Sequence, residues 1–188
     1  VVLNAAGVEA FNKKIIAASP TVYDMAAYPK TLSGKTVATY VNTHTDLSDE
    51  LYREGKLVSD NYKNILRSQT NAAAIPAEVT VRYGVTVRRA NLRNLPTGEG
   101  LFFYAGDRNF DALQETALDP GEAVAILHTS TNGYFYYVQA YNYRGWLSKF
   151  DVAETDRSIW LRYAEPKNFL TVVAKDYTLK ADGAQVLF

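Results

Sequence analysis

The dipeptide Asn132-Gly133, opening the run GYFYYVQAYNYRGWL at residues 133–147, constrains this chain more than any other stretch. Both residues tolerate positive φ, so the pair predicts a hairpin with a type I′ turn. Seven of the fifteen residues in the run are aromatic: Tyr134, Phe135, Tyr136, Tyr137, Tyr141, Tyr143 and Trp146. Strand alternation sends Tyr134, Tyr136 and Val138 to one face and Phe135, Tyr137 and Gln139 to the other. Rings on both faces predict a strand with a core on one side and a rim or gripping surface on the other.

The flanking sequence supplies partners for that strand. Residues 78–83 and 85–93 alternate β-branched and charged side chains, as half-buried strands do. Leu95-Pro96-Thr97-Gly98 reads as a turn. Residues 100–120 form a long polar and aromatic loop, with a helical turn expected over 110–117 and closure at Asp119-Pro120-Gly121. A loop of this length in a compact domain is usually functional or covers the core. Residues 123–129 (AVAILHT) read as a central strand, 134–140 as its hairpin partner, and 141–147 as a second return. Residues 149–153 are expected to leave the barrel. Short strands at this spacing, with one long early loop, predict a small SH3-like barrel.

Ahead of the barrel, residues 1–18 predict a helix, with Val8, Phe11, Ile15 and Ala18 on one stripe and Ser19-Pro20 as the stop. Residues 21–35 read as irregular, and 36–42 (TVATYVN) as a short strand. Residues 45–56 and 59–68 read as helices, the second capped by Ser59 or Asp60 with Tyr62, Ile65 and Leu66 inward. Such a unit has a thin core and needs a neighbour to lean on. Beyond the barrel, 154–167 reads as a linker carrying Ile159, Trp160 and Leu161, and 169–175 as a strand. Asp182-Gly183 predicts a hairpin between 177–180 and 184–188. The ending Val186-Leu187-Phe188 would leave a sticky edge, so the strand is expected to pair with an earlier one or the natural protein to continue. The expected fold class is α+β: a small, mostly helical N-terminal region (1–76) packed on an SH3-like barrel (77–153), with a linker and an incomplete β segment (154–188).

Composition removes several functions. Lys+Arg and Asp+Glu both total 20, so the chain lacks the basic surplus of a nucleic-acid binder. No run approaches the roughly 18 apolar residues of a membrane span. Cysteine is absent, which removes disulfides, thiolate metal sites and a Cys nucleophile. The two histidines, His44 and His128, are too few for a His-rich metal site, and no carboxylate cluster has EF-hand spacing. No cofactor or metal is expected. Neither histidine accompanies a Gly-x-Ser-x-Gly elbow. His128 reads as a satisfied core histidine and His44 as a turn residue. The chain opens on Val1 without a signal-peptide pattern, as a mature or trimmed form would.

The middle of the chain resembles a known family. Arg82-Tyr83-Gly84-Val85-Thr86-Val87-Arg88-Arg89-Ala90-Asn91-Leu92-Arg93 with Leu95-Pro96-Thr97 resembles the opening of the first bacterial SH3 domain (SH3b1 type) of NlpC/p60 cell-wall cysteine peptidases. Phe110-Asp111, Leu113-Gln114, Gly121, Leu127-His128, Ser130, Gly133 and Gly145-Trp146 continue the pattern. Phe11-Asn12, Tyr23-Asp24, Leu32-Ser33-Gly34 and Leu51-Tyr52 with Gly55 resemble the family's N-terminal stabilising region, and the last twenty residues resemble the start of a second SH3 domain. The resemblance implies an enzyme of the cell envelope, periplasmic or extracellular. Such an enzyme cleaves between γ-D-glutamate and a diamino acid in peptidoglycan stem peptides, using a Cys and a His in a C-terminal domain. This chain has no Cys and no such domain, so it is not expected to be an enzyme as it stands. The implied role is substrate recognition and stabilisation. Its implied partners are a stem peptide and an NlpC-type catalytic domain in the same or a separate chain. The alternative is a stand-alone SH3-like adaptor for a wall polymer or a protein.

Three residue sets are candidates for substrate contact. In the long loop, Tyr104, Asp107, Asp111 and Gln114 offer hydroxyl, carboxylate and amide; a carboxylate suits a free amino terminus. Against this, Asp111 and Gln114 could cap the loop's own backbone. Tyr136, Tyr137, Tyr141 and Tyr143 offer flat apolar area with a hydroxyl, though alternation turns about half of them inward. Arg89, Asn91 and Arg93 share one face of a regular strand, where Arg forks would meet carboxylates of the ligand or of the protein itself.

Overall fold

The computed structural model describes residues 3–43, 46–168, 177–181 and 183–187. Helices and antiparallel sheets build an α+β fold. Helix α1 (Ala5–Ala18) begins at Asn4, whose Oδ1 accepts the Gly7 N–H at 2.8 Å, and stops at Ser19 before Pro20. Strand β1 (Thr31–Ser33) runs into α2 (Gly34–Asn42), where the alternating residues had predicted a strand. The helix prevails for two reasons. Ser33 Oγ caps it by accepting the Thr36 N–H at 3.1 Å, and Val37 and Val41, one turn apart, are 0% and 1% exposed. Their burial outweighs the weak β preference of Val and Thr.

The helix expected over 45–56 is also corrected. A two-residue turn, Glu54 (φ 51) and Gly55 (φ 78), joins β2 (Tyr52–Arg53) to β3 (Lys56–Leu57). Leu47 and Leu51 have helical spacing, yet they reach the core from irregular chain. Helix α3 (Asp60–Ser68) forms as expected, with Ser59 Oγ accepting the Tyr62 N–H at 3.3 Å. Leu66 is buried and Tyr62 half-buried, but Ile65 faces outward.

The centre is a curved sheet. Strand β4 (Glu78–Thr80) pairs with β1. It is followed by β5 (Arg82–Thr86), β6 (Ala90–Arg93), β7 (Gln114–Leu118), β8 (Ala123–Thr129), β9 (Phe135–Gln139), β10 (Arg144–Ser148) and β11 (Val152–Thr155). Their order is β11-β5-β8-β9-β10-β6-β7, all antiparallel, which is the predicted SH3-like arrangement. Two expectations fail. The helical turn expected over 110–117 is reduced to a turn at Asp111–Gln114, whose last residue opens strand β7, pairing with β6. Residues 149–153 do not leave the sheet, since a 3₁₀ turn at Lys149–Asp151 feeds β11, which pairs with β5.

The β8–β9 turn lies where Asn132-Gly133 placed it, but it is not type I′. Gly133 alone of the pair has positive φ (72°), and its N–H donates to the Ser130 carbonyl at 2.9 Å. Asn132 acts through its side chain, Oδ1 accepting from the Ser130 hydroxyl at 2.8 Å and the Tyr134 N–H at 3.0 Å.

The sheet is buried on both faces. Inside the barrel lie Leu92, Val124, Ile126, Val138 and Leu147. On the outer face Leu127, Tyr137 and Trp146 pack with Met25, Val37 and Val41 of the N-terminal region and with Trp160. Full burial of one such aliphatic side chain stabilises by about 1.5–3 kcal/mol, so this outer layer holds the two regions together. The expected linker instead contains helix α4 (Arg157–Ala164), which docks through Trp160; its Nε1 donates to the Val124 carbonyl at 3.1 Å. A third cluster joins Leu47, Leu51, Val58 and Leu66 to Leu95, Leu101 and Leu113 of the barrel. The C-terminal hairpin pairs β12 (Thr178–Ala181) with β13 (Ala184–Leu187). The strand expected over 169–175, together with His44, Asp182 and Phe188, lies outside the described residues.

Candidate functional site

The long loop, 94–113, is held by a buried ion pair. Arg93 lies opposite Trp146 of β10, so it shares the outer face of the sheet with Asn91; the loop folds over Arg93 and buries it, while Asn91 stays exposed. Arg93 Nη1 then donates to Asp111 Oδ2 at 2.6 Å, and Nη2 to the Glu99 carbonyl at 2.6 Å. Asp111 Oδ1 accepts the N–H groups of Leu101 (3.1 Å) and Leu113 (3.0 Å). Arg93 and Asp111 are thus occupied with the loop and with each other, which corrects their expected place on a ligand surface. Arg89, just before β6, is exposed and pairs with Asp119.

That bracing presents a concavity of about 440 Å³ between the loop and the β2–β3 turn. Two cations, Arg53 and Arg108, and three carboxylates, Glu54, Glu99 and Asp107, line it together with Gly55, Gly100 and Gly106. Arg53 Nη1 donates to Glu99 Oε2 at 2.8 Å, and its guanidinium lies 4.8 Å from the centre of the Tyr62 ring. The Tyr62 hydroxyl also donates to Glu99; burial first, and that bond second, push the phenol above its usual range. Asp107 Oδ1 accepts the Asn109 N–H at 2.8 Å, and the Asp107 N–H donates to the Tyr104 carbonyl. Tyr104 is 74% exposed beside it, and Gln114 is exposed at the start of β7.

A larger cleft, about 700 Å³, opens between α2 and the β9–β10 turn. Tyr143, Arg144 and Glu115 line it from the barrel, and Tyr40 and Thr39 from α2. Arg144 stacks 3.6 Å from the centre of the Tyr40 ring and donates through Nη2 to the Tyr23 hydroxyl at 3.3 Å. Tyr137 forms the floor, being buried and donating its hydroxyl to the Tyr40 carbonyl at 2.9 Å. Burial pushes its phenol far up, against a smaller lowering by Arg144. Tyr137 is therefore one of the tyrosines that turn inward, which corrects its place among the substrate-contact candidates, whereas Tyr143 is open at the rim. Tyr40, Arg144 and Glu115 carried no motif, and nothing local in the sequence marks their meeting.

The other candidates lie apart. The Tyr136 hydroxyl donates to Glu154 Oε1 at 2.6 Å, and Arg82 Nη1 to Glu154 Oε2 at 2.8 Å, a surface network far from the loop in sequence. Tyr141 is exposed. His128 Nε2 lies 3.0 Å from the Asn71 carbonyl, and burial lowers the ring's pKa, as befits a satisfied core histidine. Among the described residues no group of three or more His, Asp or Glu side chains could hold a metal ion.

Residues 101–148, from the long loop through β10, match the family model of the SH3 domain (SH3b1 type). A solved NlpC/P60 endopeptidase from Photobacterium damselae subsp. piscicida has the same fold over 98% of this chain, with a TM-score of 0.69 and 17% identity. The chain spans 45% of that protein's length. A comparison with curated protein sequences finds no match. The barrel therefore carries a bacterial SH3 domain, and the α+β fold around it is one that an NlpC/P60 endopeptidase also contains.

Proposed function

We propose that this chain is the substrate-recognising and stabilising portion of a cell-wall peptidase of the NlpC/P60 type, working in the cell envelope. One observation carries the reading: a shared fold that takes in 98% of this chain but 45% of the endopeptidase. With no Cys in the sequence, a thiolate nucleophile and its His partner would come from a further domain, in the same or a separate chain. In this reading residues 1–76 buttress the SH3 barrel, which runs from 77 to the end of β11 at Thr155 with α4 docked on it, and the C-terminal hairpin belongs to a second SH3-like unit.

The loop pocket suits the ligand. A peptidoglycan stem peptide carries an ammonium group and several carboxylates, and the pocket sets Asp107 and Glu99 beside Arg53 and Arg108. Tyr104, Asp107 and Gln114 are the contacts retained from the sequence, with Tyr143 and Arg89 as outlying contacts of a longer wall fragment.

The test is a titration of the labelled chain with L-Ala-γ-D-Glu-diaminopimelate, followed by amide shifts. Saturable shifts at Tyr104, Asp107 and Gln114 are expected. Tyr104→Ala should weaken binding without moving the unfolding midpoint, because the ring is 74% exposed. Silent resonances at all three positions with millimolar peptide would sink the proposal.

A further inference from the structure

We infer that the cleft between α2 and the β9–β10 turn is a second binding site, for a short peptide bearing both a free carboxylate and a free ammonium group. It shares no lining residue with the loop pocket and does not depend on that pocket's role.

The carboxylate half rests on Arg144. Arg53, Arg82, Arg88, Arg89 and Arg93 each hold a carboxylate of the protein. Arg144 has none within ion-pairing distance among the described residues, and it makes a single hydrogen bond, to the Tyr23 hydroxyl. Its guanidinium is nonetheless held in place, stacked 3.6 Å from the centre of the Tyr40 ring, with a second tyrosine, Tyr23, at 5.7 Å. A planar fork fixed in orientation, with donors to spare, is arranged for two-point binding of a carboxylate.

The ammonium half rests on Glu115, which lines the same cleft from β7 and has no basic partner among the described residues. Between the two poles Tyr137 and Tyr143 supply apolar wall. A volume near 700 Å³ is within the usual range for small-ligand sites and has room for a tripeptide.

The experiment titrates the full chain with trialanine, N-acetyl-trialanine and trialanine amide, reading the Arg144 Nε–H resonance and the Tyr143 amide. Trialanine should give saturable shifts at both. Removing either charged end should weaken binding at least tenfold, the size of one lost charge-assisted hydrogen bond. Arg144→Lys should lose a similar factor, since an ammonium cannot form the two-point contact. Glu115→Gln, which keeps the side-chain volume, should weaken trialanine but leave N-acetyl-trialanine unchanged. Unfolding midpoints of both variants confirm that they fold. An Arg144 resonance unmoved by tens of millimolar trialanine overturns the inference. Equal weakening of both peptides by Glu115→Gln also overturns it. Shifts at Tyr104 and Asp107 report on the loop pocket separately, so either site can fail alone.

Discussion

Replacing Asp111 by Ala should cost stability before it costs binding. The carboxylate accepts from Arg93 and from two main-chain N–H groups, and the two side chains are only 6% (Arg93) and 16% (Asp111) exposed. Removing one partner of a buried pair costs about 3–5 kcal/mol, because the other charge is left without compensation. Two amides also lose their acceptor, though the loop rim lets water replace part of that loss. The expected destabilisation is about 4 kcal/mol, or about 8–16 °C in Tm for a chain of this size. Asp111→Asn keeps an oxygen for the two amides and loses the charge facing Arg93, so about 2 kcal/mol is expected. The double variant R93M/D111L removes both charges and should be more stable than D111A alone. Urea unfolding followed by tryptophan fluorescence measures all three. A D111A protein within about 1 kcal/mol of the parent would refute the claim that this pair braces the loop.

Trp160→Ala should cost about 3–5 kcal/mol, since the ring is fully buried and its N–H is bonded to Val124; a cost under about 1 kcal/mol would mean that α4 does not dock. Gly34→Ala should destabilise by about 3 kcal/mol, because a Cβ there collides with the Pro76 carbonyl; an unchanged denaturation midpoint would show that this junction can open freely. His128 gives a pH dependence. Burial holds its folded pKa below the ordinary 6.5, so the unfolded chain takes up the proton first as pH falls. Stability is fully present above pH 6.5, declines as pH drops through it, and levels off below the folded pKa. His128→Gln should flatten that decline, and a ring titrating above 6.5 in an NMR experiment would contradict the assignment.

Much of the barrel was legible because its signals are local. The strand over 123–129, the turn at 130–133, the hairpin strands after it and the Ser59 cap all follow from alternation, turn chemistry and capping within a few residues. The site was less legible. Asp107 and Tyr104 lie on the loop where the sequence put them, but Arg93 read as a surface residue because alternation fixes only the face a side chain takes, and the loop at Glu99 and Asp111 covers that face. The linker containing Trp160 was misread for a related reason: its helix owes its place to a socket on β5 and β8.

The sequence alone thus determined that this chain builds an SH3-like sheet and where its hairpins turn, because turn and alternation preferences act through neighbouring residues. Tertiary structure decided what covers the sheet. Residues 36–42 became a helix because Val37 and Val41 gain more by burial against Tyr137 and Trp146 than β propensity offers them in isolation. The same layer separates the tyrosines, taking Tyr137 into the core and leaving Tyr143 open. It also brings Arg144 onto Tyr40. A cleft made by residues about a hundred positions apart has no local signature, since it exists only once the N-terminal region has packed onto the barrel.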